Sequence, residues 1–195
     1  LSFSITSLGY SKKIIFRNKT KLNDDIYVTG NLGDSFVGLQ ILKKKINFTK
    51  KINKYFISKY FMPEIQISLA KKLLNFANSS IDVSDGLIAD LEKLINKQPH
   101  SYKLYEEQIP ISNSLSSLIE NGKLKKSKII SNGDDYQILF TASPNRSRII
   151  NRASKINSIK ITKIGKIIRN DQVPSIINQK GEEILIKNKG YIHNF

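Results

Sequence analysis

Residues 80–87 read Ser-Ile-Asp-Val-Ser-Asp-Gly-Leu, and this stretch decides how the middle of the chain folds. The apolar residues at positions 81 and 83 alternate with Asp82 and Ser84, which is typical of a strand with one face toward a core. Apolar residues then recur at helical spacing at positions 87, 91, 94 and 95. The stretch therefore predicts a strand that turns sharply into a helix, with Ser84 or Asp85 as the N-cap.

This corner collects side chains that suit a metal-bound phosphate. Asp82 and Ser84 share one face of the predicted strand, and the N-terminus of the helix offers free N–H groups and a positive dipole. Two carboxylates can hold a hard cation, while the amides bind its anion, as a Mg²⁺-nucleotide requires. The alternative is that Ser84 and Asp85 only cap the helix while Asp82 makes a local turn bond. That alternative explains Ser84 well and Asp82 poorly, and the residues alone leave both open.

The composition limits the possible classes of protein. The chain has 195 residues, 39% of them hydrophobic, and contains no run of the roughly 20 apolar residues that a membrane span needs. We therefore expect one main globular domain in the cytoplasm and no membrane partner. It has no cysteine and two histidines, so any metal is expected to be a hard cation on oxygen ligands, with Mg²⁺ the leading candidate.

The start of the chain resembles the middle of a domain. The first residue is Leu1, and residues 1–8 alternate apolar with small polar residues as a half-buried strand does. A strand needs neighbours for its backbone groups, so we expect further sequence upstream. A domain boundary is expected near residues 12 to 22, with a basic connector at 13–22 followed by the main domain at 23–195.

Further elements follow from local patterns. Strand-like composition covers 25–30, and a glycine turn then leads into a helix for which Asp34 is the expected N-cap. That turn is explained equally by phosphate binding and by tight geometry. The remaining predictions are helices at 65–76 and 144–156 and strands at 128–130, 136–141 and 159–168.

The net charge of +16 raises the question of nucleic-acid binding. Lysines are densest at 43–59, where they alternate with aromatic residues that could stack on bases. The simpler interpretation, which we favour, is a solvated helix face, because runs of charge are usually solvated. A basic binding module remains the alternative function, with nucleic acid not the favoured partner.

Four motifs in order closely resemble bacterial thiamine-phosphate kinase over the whole chain. They are Val-Thr-Gly-Asn-Leu-Gly-Asp-Ser at 28–35, Ala-Asn-Ser-Ser-Ile-Asp-Val-Ser-Asp-Gly-Leu at 77–87, Gly-Asp-Asp-Tyr at 133–136 and Lys-Gly-Tyr at 189–191. The resemblance implies an α+β fold, the C-terminal domain of the aminoimidazole ribonucleotide synthetase-like superfamily, with a mixed sheet packed against helices. It also implies a preceding N-terminal domain rich in Asp metal ligands, whose last strand is residues 1–12.

The resemblance implies ATP-dependent phosphorylation of thiamine monophosphate to thiamine diphosphate by direct in-line transfer. By position, Asp82 and Asp85 are Mg²⁺ ligands, with Asp85 also the catalytic residue, and Ser84 and Arg17 contact ATP. Asp134 and Asn188 fall at substrate-contacting positions. The family is typically a homodimer joined through the N-terminal domain. Because the Asp-rich part of that domain is expected upstream, this chain alone is expected to be inactive.

Three positions depart from the family pattern. Asp134 replaces the usual Glu, Asn188 replaces a common aromatic, and an arginine-containing element appears as Met-Pro-Glu-Ile-Gln at 62–66 without arginine. All three bear on thiamine affinity more than on ATP. The alternative enzymes are other ATP-using members of the superfamily, such as selenophosphate synthetase.

Overall fold

The computed structural model, which describes residues 4–185 and 189–190, contains one six-stranded mixed sheet. The strand order is β2-β4-β1-β5-β3-β6, and β3 and β6 run parallel while the other neighbours are antiparallel. The predicted mixed sheet is thereby confirmed. The strands are β1 Asp25–Thr29, β2 Ser79–Asp82, β3 His100–Tyr105, β4 Ile138–Ala142, β5 Ile161–Arg169 and β6 Ser175–Ile177.

Seven α-helices accompany the sheet within the described residues. None of them has the length and apolar character that crossing a membrane would require. The helices are α1 Asp34–Leu42, α2 Lys50–Phe61, α3 Ile67–Leu73, α4 Leu87–Ile95, α5 Asn113–Glu120, α6 Lys126–Ile130 and α7 Ser147–Asn157, with 3₁₀ turns at Glu106–Gln108 and Pro144–Arg146.

Alternation along β1 divides the core into two layers. Ile26 and Val28 point to the face covered by α4, where they pack with Leu87 and Leu91. Tyr27 points to the other face, which α3 and α7 cover. A third apolar cluster joins α1, α2, α5 and α6. Because both faces of the sheet are buried, the polar groups of the chain are left to gather at the ends of the strands.

Two predicted elements differ from the structure. The predicted strand at 128–130 is the end of helix α6, in which Ile129 and Ile130 are buried. A short apolar run fits either a strand or a buried helix face, so the sequence pattern could not separate them. The helix predicted at 65–76 is confined to α3, and Ile65, assigned to its apolar face, is 71% exposed.

Residues 4–10 form no strand, and Ile5 and Leu8 are 93% and 94% exposed. The strand predicted at 1–8 is therefore absent over the part of it that the structure describes. Its physical requirement, a neighbouring strand, is not met by any described strand of this chain. The connector that follows docks on the C-terminal end of α4, where the Asn18 amide donates to the carbonyl of Leu94 at 2.9 Å.

Candidate functional site

The predicted corner lies at an edge of the sheet where three strands meet. β2 ends at Asp82, which is exposed and lies opposite Ile138, the first residue of β4. The next strand in the sheet, β1, ends at Thr29 on the same edge, and the Thr29 hydroxyl accepts from the Ile138 amide at 2.8 Å. The 82–86 turn and the 30–33 glycine turn therefore face the same side of the molecule.

The loop before β4 closes over this corner. The amide of Asp134 donates to the carbonyl of Ser84 at 3.0 Å, and the amide of Tyr136 donates to the carbonyl of Val83 at 2.9 Å. A Cβ on Gly133 would come within 1.8 Å of the Ser84 oxygen, so only glycine permits this approach. The structure thus brings together four residues predicted from the sequence: Asp82, Ser84, Asp85 and Asp134.

Negative charge accumulates at this corner. Burial and the charge of Asp85 raise the pKa of Asp134. Burial, followed by the charges of Asp134 and Asp82, raises the pKa of Tyr136. Both shifts have the direction that crowded carboxylates produce. A bound cation would relieve this crowding, so the donor set suits a hard divalent ion.

The α4 N-terminus differs from the expectation in how it is capped. The N-cap is Gly86, with φ 126°, and neither Ser84 nor Asp85 caps the helix through its side chain. Instead, one carboxylate oxygen of Asp90 accepts from the amides of Ser84, Asp85 and Gly86, at 2.9, 2.9 and 3.1 Å. These three amides, in the turn that leads into α4, are therefore already satisfied from inside the protein.

A lysine links the two acidic residues of this turn. Lys93 Nζ pairs with the second oxygen of Asp90 at 2.9 Å and with the carboxylate of Asp85. Burial lowers the pKa of Lys93, but its bonds to Asp85 and Asp90 outweigh that effect and leave the pKa raised. Lys93 therefore stays charged, and it fixes the direction of the Asp85 carboxylate.

Sequence reasoning missed Asp90 and Lys93, although one signal was present. Asp90 lies three residues after Leu87 and four before Leu94, within the apolar stripe of α4, and it is fully buried. An ionisable residue on the buried face of a helix needs a partner. That position could have identified Asp90 as part of the corner.

A second acidic pair lines a cleft of about 210 Å³ next to the corner. Asp34, the first residue of α1 rather than its N-cap, accepts from the hydroxyls of Ser112 at 2.7 Å and Tyr55 at 2.8 Å. Asp135 accepts from the Gly33 amide at 2.8 Å. Burial raises the pKa of Asp135 to about 8, the Gly33 bond opposes the shift, and the charge of Asp34 adds to it. The bond between the Gly33 amide and Asp135 joins the glycine turn to the loop that carries Asp134.

Arg17 is not part of the assembled corner in the described structure. Arg17 is exposed, and its neighbour Asn18 bonds to the C-terminal end of α4, whereas Asp85 precedes the N-terminal end. The nine residues of α4 separate these ends by about 13 Å, at 1.5 Å per residue. Asn188 lies outside the described residues.

The block of lysines and aromatics at 43–61 exposes its lysines and buries only part of its aromatic surface. Phe56 is fully buried and Tyr55 donates to Asp34, whereas Phe61 is 65% exposed. The ring of Phe56 packs in the core and cannot stack on bases. Lys50, Lys51 and Lys54 are exposed, which fits the solvated-face interpretation.

Three carboxylates or imidazoles do not converge anywhere among the described residues in a way that could hold a metal ion. Asp82 and Asp85 therefore supply at most part of a coordination shell. This fits Mg²⁺, which keeps several waters and takes further oxygen ligands from the phosphates of its substrate.

Sequence comparison relates the chain to thiamine-monophosphate kinases. The protein of that name from Buchnera aphidicola subsp. Schizaphis graminum is 36% identical over 197 residues, which cover 99% of this chain and 59% of the relative. The one from Escherichia coli K12 is 30% identical over 182 residues, covering 93% and 55%. The chain thus spans about three fifths of the length of these relatives. No family model matches the chain.

Comparison with solved structures also relates the chain to thiamine-monophosphate kinases. A thiamine-monophosphate kinase from Stenotrophomonas maltophilia K279a superposes with a TM-score of 0.74 at 24% identity, covering 87% of this chain and 54% of that protein. The structure described as AaThiL complexed with AMPPCP and TMP gives a TM-score of 0.72 at 26% identity, covering 91% and 54%. Escherichia coli HypE shares the fold at 12% identity, with a TM-score of 0.68. The fold class and the resemblance inferred from the four motifs are both confirmed.

Proposed function

We propose that this chain, a relative of the thiamine-monophosphate kinases along nearly its whole length, forms one part of an ATP-dependent kinase for thiamine monophosphate. The observation that carries the proposal is the corner of Asp82, Ser84, Asp85 and Asp134 at one sheet edge. It combines carboxylates that can hold a cation with a loop that lies directly above them. One relative with this fold was described with the ATP analogue AMPPCP and with TMP.

In the proposed reaction an oxygen of the substrate phosphate attacks the γ-phosphorus of ATP. The new P–O bond forms as the bond from the γ-phosphorus to the bridging oxygen breaks, and ADP leaves with that electron pair. Asp82 and Asp85 are the residues that would hold Mg²⁺, which when bound neutralises charge on the phosphates. Lys93 keeps the Asp85 carboxylate turned toward the corner, and Ser84 offers a hydroxyl to the nucleotide.

The substrate end of the site involves two further proposals. Asp134 sits beside Asp85, where its side chain can reach the substrate, and Asn188 is assigned to the same role by the resemblance alone. Because Asp134 is one methylene shorter than the Glu of the family, we expect a longer distance to the substrate and weaker thiamine binding.

The rest of the proposed enzyme follows from the same resemblance. Residues 1–12 belong to an N-terminal domain that supplies further Asp ligands, residues 13–22 connect it, and Arg17 in that connector contacts ATP. A homodimer joined through the N-terminal domain, working in the cytoplasm, completes the proposal. Because the proposal takes further Asp ligands from that N-terminal domain, we expect the 195-residue chain alone to show no turnover.

The test is a kinase assay on the complete protein with thiamine monophosphate, ATP and Mg²⁺. Asp85→Asn is expected to lower kcat by about 100-fold or more, a loss typical of removing one charged contact to a transition state. Asp171→Asn, the same chemical change at an exposed residue outside the corner, is the matched control and should stay within about twofold of wild type.

Two results would contradict the proposal. Thiamine diphosphate formation that survives Asp85→Asn within a few-fold would remove the metal role of this corner. Absence of any product from thiamine monophosphate, in a protein whose thermal unfolding is cooperative, would remove the kinase function itself.

A further inference from the structure

A second cavity lies at the edge of the sheet opposite the acidic corner. It sits beside the start of β2, where the Asn78 amide donates to the carbonyl of Thr141 at 2.8 Å. β2 runs from this edge to Asp82, so the strand separates the cavity from the corner. The connector, the turn before β2 and Arg146 enclose a volume of about 350 Å³.

Among the described residues, four cations and no carboxylate line the cavity. These cations are Lys13, Lys19, Lys21 and Arg146. Lys13 Nζ donates to the carbonyl of Leu74 at 2.7 Å, and none of the four forms an ion pair with any described residue. Positive charges that line one cavity without a counterion repel one another, and a bound anion reduces that repulsion.

The nearest acidic residue does not neutralise these cations. Asp24 is only 1% exposed, and both of its oxygens accept from Asn78 Nδ2 at 2.9 Å. One of them also accepts from the backbone amide of Lys21 at 3.0 Å. The carboxylate is therefore turned into the protein, where it bonds to Asn78 and to the backbone of Lys21 rather than to a lysine ammonium.

The floor of the cavity is apolar. Ile15, Phe76 and Ala77 line it, and Phe76 is anchored in the core with 4% exposure and its ring 5.5 Å from that of Phe140. A cavity of this volume, with an apolar floor and a few converging polar groups, matches the usual small-molecule site. Inorganic phosphate would use the cations and leave the floor unused.

We propose that this cavity binds a small phosphorylated organic anion of nucleotide size, with its phosphates on the four cations and its organic body on the apolar floor. The site is separate from the acidic corner, and it requires no metal. Its occupant is bound rather than turned over, because the described residues that line the cavity include no carboxylate, imidazole or thiol that could act as an acid, base or nucleophile.

The proposal is tested by calorimetric titration of the 195-residue chain with ADP and, separately, with pyrophosphate, both in excess EDTA so that no Mg²⁺ supports binding at the corner. The triple variant Lys13→Gln/Lys19→Gln/Lys21→Gln should weaken ADP binding by about tenfold or more, the effect of losing a single charge-assisted contact. The matched control is Lys50→Gln/Lys51→Gln/Lys54→Gln, which removes the same charge from exposed positions of α2 and should change the affinity by less than about twofold.

Two more variants separate the parts of the proposal. Ile15→Ala should weaken ADP binding and leave pyrophosphate binding unchanged, because pyrophosphate has no organic body. Asp85→Asn should leave both unchanged, so a failure here is distinct from a failure of the kinase proposal. Equal losses in the two triple variants, or no heat of binding with millimolar ADP, would overturn the site. Equal affinity for the two probes, unaffected by Ile15→Ala, would overturn the organic occupant.

Discussion

Replacing Asp90 by Ala tests whether this buried carboxylate builds the acidic corner. The change removes the acceptor of three amide bonds and one partner of Lys93. Charge-assisted bonds contribute about 1.5–3 kcal/mol each, so three give an upper bound of about 5–9 kcal/mol. The amides of Ser84 and Asp85 are half-buried and can regain water, whereas that of Gly86 is buried. We therefore expect a loss of about 4 kcal/mol, within the range for breaking a buried charged pair.

The measurement is urea unfolding of the 195-residue chain, supported by thermal unfolding. For a protein of this size about 4 kcal/mol corresponds to a drop in Tm of about 8–16 °C. Asp90→Asn keeps a neutral acceptor and should cost less than half as much. Asp82→Asn, at an exposed carboxylate of the same corner, is the control and should stay within about 0.5 kcal/mol. A loss below about 1 kcal/mol for Asp90→Ala would show that the amides find other partners and that the corner does not depend on this residue.

Two further predictions concern the loop over the corner. The pKa of Asp135 is about 8 in the folded state and near 4 in the unfolded state, so the folded state holds an extra proton between these values and its stability falls as pH rises from 4 to 8. Asp135→Asn should flatten the fall in Tm measured from pH 5 to 8. An unchanged slope of Tm against pH would reject this prediction. Gly133→Ala should lower the free energy of unfolding in urea by about 1–3 kcal/mol, because the added Cβ would overlap the Ser84 carbonyl. Gly9→Ala, which has open space around it, is the control and should be neutral. Equal losses in the two variants would contradict the close approach of Gly133 to Ser84.

Local patterns predicted much of the sheet and helix α4. β1, β4 and β5 were expected within about two residues of where they lie, because alternation of β-branched residues is a local property. The strand order β2-β4-β1-β5-β3-β6 could not be predicted, because the pairing of strands depends on contacts between residues far apart in sequence. Helix α6 was mistaken for a strand because Ile129 and Ile130 were its only apolar signal. Two adjacent apolar residues fit the periodicity of a strand and that of a helix equally well.

Some residues of the acidic corner could be predicted from the sequence, whereas others could be found only from the fold. Asp82, Ser84 and Asp85 were predicted from their residue types and spacing, whereas Asp134 was assigned by the family resemblance. Lys93 lies eight residues after Asp85, outside any local spacing rule, and only the turn of α4 places its ammonium on that carboxylate. The chemistry of a site can therefore be read from residue types, while the groups that orient it depend on the fold.

The amides of Ser84, Asp85 and Gly86, which come just before the first residue of α4, are occupied by Asp90, so a phosphate bound at the corner is not held by these three amides. The cation that Asp82 and Asp85 can hold and the hydroxyl of Ser84 therefore carry a larger share of phosphate binding. Affinity for the nucleotide at this corner should depend strongly on the divalent ion, because these three amides and Lys93 are already bonded to carboxylates.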